Sequence, residues 1–378
     1  MKILYWTESF WPTIGGIEVL SAQFIPALQK RGFEIIVATD HHNLNLPDKA
    51  VFNGIPVHRY HFQWALEKHD MGRLSMTLRQ IAELKHTFRP DLIHINTCGP
   101  GIFFHLRTMD KYSAPSLVTV HALMTDSCAP DTILGRLLRS ANWVSTVSES
   151  TLNDIRTILP ETAHRSSVIY NGLDMPVLQP EPLPFETPRF LCLGRVIADK
   201  GFDLALTAFA SVVERFPYAR LVIAGDGPAK TDLMQLSVEL GLTDSVEFAG
   251  WVAPEKIPEL MNNATAVIMP SRWAEPFGLV ALQAAQMARP VVATHIGGLP
   301  EVVIHGETGI LVENEDVDAL GEAIAFLLEH PKAAIQMGRN AHTRAQEIFG
   351  LSRCLDAYEA LYRQIIVDNS LNKALSRA

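Results

Sequence analysis

Cysteine is scarce in this chain of 378 residues. No CxxC motif joins any two of the four cysteines, which are Cys98, Cys128, Cys192 and Cys354. This spacing argues against a disulfide framework and against a structural zinc site, and it favours a reducing cytoplasm.

Long apolar runs are lacking as well. No run approaches the roughly 20 residues that a membrane-spanning helix needs. The apolar start of the chain turns polar at Thr7, too early for a secretory signal peptide. These absences predict a soluble, cytoplasmic protein.

Basic residues are outnumbered, since 32 Lys and Arg stand against 41 Asp and Glu and give a formal net charge of −9. Residues 1–170 hold 16 basic and 15 acidic residues, whereas the remainder holds 16 and 26. An acidic chain is a poor fit to a general nucleic-acid-binding protein. A near-neutral half followed by an acidic half indicates two domains that meet different partners.

The length of the chain is too great for one comfortable hydrophobic core and suits two domains. A strand at Ile3–Trp6 is followed by a loop rich in Pro and Gly and by a helix from Ile17 to about Arg31. Further strands are predicted near 34–39, 55–60, 91–96, 116–121 and 143–148. A linker at 176–188 contains five prolines and interrupts the pattern.

After the linker the alternation of strands and helices begins again. Strands are predicted near 189–194, 220–225, 246–250, 265–269, 290–294 and 309–312. Helices are predicted near 201–214, 230–240, 255–262, 277–288 and 316–329. Continuous apolar strands that alternate with helices indicate parallel sheets covered on both faces. The sequence therefore predicts an α/β protein of two doubly wound, Rossmann-like domains, with a final helix near 351–368.

Paired glycines, Gly15 and Gly16, form the first candidate site, between the first strand and the first helix. Adjacent glycines let a phosphate approach the backbone, and the following helix N-terminus offers N–H groups with a partial positive charge. Paired glycines are also ordinary tight-turn residues. The motif alone leaves both interpretations open.

A basic pair, Arg195 and Lys200, follows the first strand after the linker. Open α/β sheets bind ligands at the carboxyl ends of their strands. A guanidinium fork and a compact ammonium both suit phosphate oxygens. The alternative is a solvated pair that caps nearby carbonyl groups.

The stretch that begins at Ser271 contains the third candidate site. Pro276 suits the first position of a helix. The backbone amides expected to be unpaired at that helix start are those of Phe277, Gly278 and Leu279, and such amides could bind a diphosphate. Glu275 could bind sugar hydroxyls, or could only complement the helix dipole. Gln283, further along the same helix, is near enough to reach the ribose of the same nucleotide.

Together these motifs resemble the retaining glycosyltransferases of group 1, or family 4, a large family that includes bacterial mannosyl- and glucosyltransferases and sucrose synthase. Further matching segments follow the family's order along nearly the whole chain, at 145–149, 170–174, 225–228 and 297–301. The resemblance implies the GT-B fold, in which two Rossmann-like domains face each other across a cleft. Residues 1–175 would be the acceptor-side domain, with a helix at about 351–370 packing back on it, and residues 176–350 would bind the nucleotide-sugar.

The resemblance also implies roles for single residues. The backbone of Gly15 and Gly16, together with Arg195 and Lys200, would hold the donor diphosphate. Glu275 would contact the donor sugar, and the amides of residues 277–279 would add contacts to phosphate and sugar. The residue beside the reacting sugar carbon would be His121, and the loop bordering the nucleobase would contain Gly250 and Val252.

One position departs from the family pattern. Gln283 stands where the family usually has a Glu that holds the ribose hydroxyls. A glutamine keeps both donor and acceptor capacity, so ribose binding can persist while nucleotide affinity or selectivity changes.

The expected reaction moves a hexose-type sugar from a UDP- or GDP-sugar to an unidentified acceptor, which could be a lipid, a polysaccharide or a small metabolite. Retention of anomeric configuration is expected. No metal or other cofactor is expected, because Arg195, Lys200 and helix-end amides can stabilise the leaving phosphate. The alternatives are a nucleotide-sugar epimerase of the same fold and a non-catalytic nucleotide-sugar-binding protein, which Gln283 favours slightly.

Two other motifs have ordinary structural explanations. Asp316-Val317-Asp318 matches the DxD pattern of metal-dependent glycosyltransferases, but it opens a predicted helix, where acidic residues suit the cap and the dipole. Gly225-Asp226-Gly227 begins like a dinucleotide fingerprint, but Lys230 occupies the position of its third glycine. NAD binding is therefore not expected.

Histidines and basic residues are concentrated in the first half. The histidine pairs His41-His42 and His58/His61 lack acidic or cysteine companions in the sequence and are interpreted as loop and strand residues. Residues 58–89 hold six basic and three acidic residues, which could make a peripheral contact with the inner face of a membrane. A core face is the favoured interpretation, because apolar residues recur there at helical spacing, at Leu74, Leu78, Ile81, Leu84 and Phe88.

Overall fold

The computed structural model describes residues 1–42, 45–96, 99–122 and 129–375. It divides into two compact units. The first unit consists of Met1–Leu173 and Leu351–Ala378, and the second of Asp174–Gly350. Cys192 and Cys354 are buried free thiols, while Cys98 and Cys128 lie outside the described residues.

The first unit contains a sheet of eight described strands. The strands are β1 (Lys2–Trp6), β2 (Glu34–Asp40), β3 (Lys49–Phe52), β4 (Ile55–Tyr60), β5 (Leu92–Ile95), β6 (Ser116–Val120), β7 (Trp143–Thr146) and β8 (Ser166–Val168). The helices are α1 (Gly16–Lys30), α2 (Phe62–Glu67), α3 (Met71–Phe88), α4 (Gly101–Arg107), α5 (Ile133–Ser140) and α6 (Glu149–Ile158). The strand order is β3-β4-β2-β1-β5-β6-β7-β8.

The predicted strands of this half are confirmed, and their pairing is parallel. The two edge strands were not predicted from the sequence. β3 pairs antiparallel with β4 and alternates between exposed and half-buried residues, so it has no continuous apolar run. β8 is three residues long and contributes two serines. Neither edge strand carries the apolar signal that marks a central strand.

The second unit contains a sheet of six described strands that is parallel throughout. The strands are β9 (Arg189–Leu193), β10 (Arg220–Ala224), β11 (Val246–Gly250), β12 (Ala266–Met269), β13 (Val291–Thr294) and β14 (Gly309–Val312). The helices are α7 (Phe202–Arg215), α8 (Lys230–Glu239), α9 (Ile257–Asn262), α10 (Leu279–Gln286), α11 (Leu299–Val302), α12 (Val317–Glu329) and α13 (Pro331–Ile348). All six strands confirm the prediction, whereas α11 and α13 were not predicted.

Alternate side chains of β1 enter two different cores, as the pleat of a strand requires. Ile3 and Tyr5 pack with residues of α1. Leu4 and Trp6 pack with residues of α3 and α4. The sheet is therefore covered on both faces, as the run of apolar residues in β1 predicted.

The core-face interpretation of α3 is also confirmed. Ile81, Leu84 and Phe88 are buried, and Leu74 and Leu78 are partly buried against the same core. The side chain of Asp316 caps α12 by accepting a hydrogen bond from the Ala319 amide at 2.9 Å. Among the described residues, none of the helices has the length and apolar character needed to cross a membrane.

The last helix, α14 (Leu351–Leu375), packs on the sheet of the first unit and joins it through a buried polar network. Tyr362 Oη lies 2.7 Å from His94 Nδ1, and His94 Nε2 lies 2.8 Å from Thr119 Oγ1. Tyr358 Oη lies 3.2 Å from the same threonine hydroxyl. Burial lowers the pKa of His94 to about 3. The neutral ring can therefore join α14 to β5 and β6 without burying a charge.

Replacing Tyr362 by Phe should lower the unfolding midpoint of the protein. The substitution leaves a buried nitrogen of His94 without its partner, at a cost of about 1–3 kcal/mol. The matched control is Tyr218→Phe, because Tyr218 is 51% exposed and its loss should cost less than about 0.5 kcal/mol. Calorimetric melting of both variants measures the difference. Equal midpoints would show that the network does not stabilise the unit.

Candidate active site

The strand order of the second sheet creates a crevice at its centre. Numbered along the chain from β9, the strands lie in the order 3-2-1-4-5-6. The order reverses between β9 and β12, where loops leave the carboxyl ends of the strands in opposite directions and ligands bind. Arg195 and Lys200 lie in the loop after β9, and Glu275 lies in the loop after β12. Three of the predicted site residues therefore flank this reversal of strand order, which is the topological switch point of the sheet.

The two loops meet at an ion pair. Lys200 Nζ contacts Glu275 Oε1, and Ser271 Oγ donates a hydrogen bond to the same oxygen at 2.9 Å. The Lys200 side chain is 24% exposed and that of Glu275 is 13% exposed, so the carboxylate is held largely out of water. Among the described residues, none donates a hydrogen bond to the other oxygen, Oε2. One edge of the carboxylate is thus oriented and the other is available to a ligand.

A second ion pair joins the loop after β12 to the first turn of α7. The guanidinium of Arg272 donates to both carboxylate oxygens of Asp203 at 2.7 Å. This bidentate contact lowers the pKa of Asp203 and is the stronger kind of charge-assisted hydrogen bond. The backbone amide of Arg272 donates to Asp199 O at 2.9 Å. The stretch around Glu275 was singled out from the sequence, but no role was predicted for Ser271 or Arg272.

Gly201 allows the loop after β9 to lie against the loop after β12. Its φ is +65°, in the left-handed region, and a Cβ placed there would lie 1.9 Å from Pro270 O. A side chain at this position would therefore meet backbone, which cannot move aside without shifting Pro270 and the loop that follows. The glycine thus permits the close approach of the two loops that carry Lys200 and Glu275.

The loop that contains Glu275 leads directly into α10, which begins at Leu279. Gly278 is its N-cap residue, and no described side chain caps the helix. The carbonyl of Glu275 accepts a hydrogen bond from the Gly298 amide at 2.7 Å, which supports the loop before the helix. Gln283 is half-buried on α10, and its side chain forms no hydrogen bond within the described part of the chain.

The remaining predicted residues of this unit surround the same edge of the sheet. Arg195 is exposed and has no ion-pair partner within residues 129–375 or the other described ranges. Gly250 ends β11, and its carbonyl accepts from the Gly225 amide at 2.7 Å. Val252 is half-buried beside Trp251, which is 60% exposed.

The first unit carries the other predicted residues, and it repeats the same strand order from β4 to β7. Gly15 is the extended N-cap residue of α1, and Gly16 is the exposed first residue of that helix. Neither glycine has a positive φ, so the backbone conformation does not require glycine at either position. At Gly15 a Cβ would instead collide with the side-chain carboxylate of Glu18.

His121 follows β6, and its Nε2 lies 3.1 Å from Asn96 Oδ1, which follows β5. Because a carbonyl oxygen can only accept, Nε2 carries the proton and Nδ1 is an acceptor. Burial lowers the pKa of His121 to about 4, so the ring is neutral at pH 7. Asn96 also donates to Ser21 Oγ at 3.4 Å. Asn96 was not predicted as a site residue, although its position as the last residue of a predicted strand was a usable signal.

Two family models together match most of the chain. The model described as glycosyl transferases group 1 matches residues 178–344. The model described as Glycosyltransferase Family 4 matches residues 14–175.

Curated relatives match over the whole chain or over part of it. N-acetyl-alpha-D-glucosaminyl L-malate synthase from Bacillus anthracis is 26% identical, over 96% of this chain and 97% of the relative. Alpha-D-kanosaminyltransferase from Streptomyces kanamyceticus is 34% identical, over 48% of this chain and 46% of the relative. A GDP-mannose-dependent alpha-(1-6)-phosphatidylinositol monomannoside mannosyltransferase from Mycobacterium tuberculosis is 37% identical, over 40% and 41%. The match thus spans less than half the length of the kanosaminyltransferase and of the mannosyltransferase.

Solved structures share the fold over nearly the full length. Sucrose-phosphate synthase from Thermosynechococcus elongatus superposes with a TM-score of 0.82 and 23% identity, over 97% of this chain and 99% of that one. HepE from Anabaena in complex with UDP gives a TM-score of 0.78 and 22% identity, over 96% and 100%.

Gly201→Ala should destabilise the second unit more than Gly241→Ala does. Both glycines have left-handed backbone, which costs about 1–2 kcal/mol for another residue. A Cβ at Gly241 meets nothing within 4 Å, whereas one at Gly201 meets Pro270 O. Thermal melting of the two variants measures the extra cost of the backbone collision. If both variants melted together, the two loops would not be held by their close approach.

Proposed function

We propose that this chain moves a hexose-type sugar from a UDP- or GDP-sugar to an acceptor with retention of anomeric configuration. The proposal starts from the family, because the chain belongs to the group 1 glycosyltransferases. Its two parallel-sheet α/β domains have the GT-B fold. The observation that carries the proposal is the Glu275 carboxylate, which Lys200 and Ser271 orient at the switch point of the second sheet.

The charges of the second unit suit a nucleoside diphosphate leaving group. Cleavage of the bond between sugar and phosphate develops negative charge on the phosphate, which fixed donors stabilise best. Arg195 is an exposed cation without an ion-pair partner among the described residues. An ammonium has three donors, so Lys200 can contact Glu275 and a phosphate oxygen together. The N-terminus of α10, which includes Gly278 and Leu279, adds a partial positive charge.

These donors can stabilise the leaving group without a metal ion, so we propose that transfer needs none. The leaving phosphate would accept the proton of the acceptor hydroxyl on the same face of the sugar, which gives retention.

The neutral state of His121 suits a position beside the reacting sugar carbon. That carbon gains positive charge as the bond to the phosphate breaks, and an imidazolium beside it would oppose the change. Burial keeps the pKa of His121 at about 4, so the ring offers a neutral dipole at pH 7. We assign to His121, Gly15 and Gly16 the contacts that the first unit makes with the donor.

Uridine and guanosine are the two alternatives for the nucleoside of the donor. The UDP complex of HepE supports uridine, whereas the GDP-mannose-dependent mannosyltransferase supports guanosine. Gly250 and Val252 are the residues proposed to border the base, and Gln283 is the residue proposed to reach the ribose. The acceptor is not assigned, and a cytoplasmic location stays a prediction.

A transfer assay tests the proposal with UDP-glucose, UDP-N-acetylglucosamine and GDP-mannose, a panel of acceptors and EDTA. We expect release of one nucleoside diphosphate and a product with the anomeric configuration of the donor, measured by NMR. Arg195→Ala and Lys200→Ala should each lower the rate by about 10²–10³. Lys332→Ala is the control, because Lys332 is an exposed cation on α13 of the same unit.

Each contrary outcome points to a different revision. An inverted product would contradict retention, and a strict need for Mg²⁺ would contradict metal-free transfer. An isomerised sugar formed from donor alone would identify an epimerase. Binding of donor without turnover with any acceptor would identify a non-catalytic binding protein.

A further inference from the structure

A second cluster of polar side chains lies in the first unit, at the carboxyl edge of its sheet. It consists of His41, Asp48 and His61, each of which offers one ligand atom within 4.8 Å of the other two. His41 Nε2 lies 3.3 Å from Asp48 Oδ1. The rings of His41 and His61 stack with their centroids 4.3 Å apart. We propose that these three residues bind a divalent transition-metal ion of the Zn²⁺ type.

Sheet register explains why the three residues meet. β2 and β4 run parallel, and Asp40 pairs with Tyr60 at their ends. His41 and His61 are the next residues on each strand, so they lie side by side. The His41 amide donates to Tyr60 O at 2.8 Å, which extends the ladder to this point.

The carboxylate comes from the neighbouring edge strand. β3 runs antiparallel to β4, with Lys49 opposite His58. Asp48 immediately precedes β3, and its carbonyl accepts from the Arg59 amide at 2.7 Å. The ligand set is therefore held by backbone pairing on three strands.

The ligand chemistry matches a borderline cation. Two imidazoles and one carboxylate are the protein ligands of many zinc sites, in which water or another group takes the fourth position. Asp48 is exposed, His61 is half-buried and His41 is buried, so the cluster opens toward solvent on the side of the carboxylate. That opening leaves room for a fourth ligand.

The two ring nitrogens of His41 have different surroundings. Nε2 lies 3.3 Å from Asp48 Oδ1 and is the nitrogen that would bind the metal. Nδ1 is buried and has no hydrogen-bond partner among the described residues, and a metal at Nε2 would not supply one. Asp48 provides in space the acidic companion that the spacing of His41 and His61 in the sequence did not show.

The proposal is independent of the donor chemistry. None of its three residues is among those assigned to the donor, and Arg195, Lys200 and Glu275 belong to the other unit. A metal here would tie the start of β3 to the ends of β2 and β4. It would thereby stabilise an edge strand that buries little apolar surface of its own.

Titration of the EDTA-treated, full-length protein with Co²⁺ and Zn²⁺ tests the site. We expect one equivalent of Co²⁺ to give the intense visible bands of a tetrahedral site, and Zn²⁺ to displace it and raise the unfolding midpoint. Asp48→Asn and His61→Gln should each weaken binding at least about tenfold, as loss of even a supporting residue does at metal sites. His58→Gln is the matched control, because His58 lies on β4 outside the cluster.

Nucleotide binding provides the second readout. Asp48→Asn should bind UDP or GDP as the wild type does, which shows that the two sites are separate, and its unfolding midpoint without metal should match that of the metal-free wild type, which shows that the first unit is folded. The proposal is overturned if the wild type shows no tetrahedral Co²⁺ bands, or if Asp48→Asn and His61→Gln bind metal as tightly as His58→Gln. Failure of donor turnover with intact metal binding would count against the transferase proposal alone.

Discussion

The proposed donor site depends on how closely the loop after β9 approaches the loop after β12. The two strands are neighbours in the sheet, but neighbouring strands alone do not bring their loops into contact. Gly201 removes the side chain that would strike Pro270 O, and Arg272 binds Asp203 through two hydrogen bonds. With both conditions met, Lys200 reaches Glu275 and orients its carboxylate. The position of this one carboxylate supports the assignment of the sugar-binding role.

In the first unit, burial and not a neighbouring charge sets the protonation state of His121, the residue proposed to contact the donor. His121 is held by Asn96, and burial lowers the pKa of the ring to about 4. On β5, His94 is neutral for the same reason and joins β5 and β6 to α14 through Thr119 and Tyr362. The two units thus have different electrostatic characters. Under the proposed function, the second unit would offer cations to an anionic leaving group and the first unit a neutral imidazole.

Much of the fold followed from the sequence, because central parallel strands are buried on both faces and carry continuous apolar runs. The strands β9 to β14 were all predicted on that signal. Edge strands such as β3 escaped prediction because half of their residues face solvent. In the second unit, contact between Lys200 and Glu275 was not derivable from spacing, since it depends on the bidentate ion pair of Arg272. The cluster around Asp48 depends likewise on strand register, which a single sequence does not reveal.

The central claim is that the second unit binds a nucleoside diphosphate through Arg195 and Lys200 without a metal ion. Isothermal titration of UDP, GDP, ADP and NAD in the presence of EDTA tests it most directly. The account predicts that UDP or GDP binds with a stoichiometry of about one per chain, and that Arg195→Ala combined with Lys200→Ala abolishes the heat signal. Binding of NAD, or nucleoside diphosphate binding that persists unchanged in the double variant, would contradict the account.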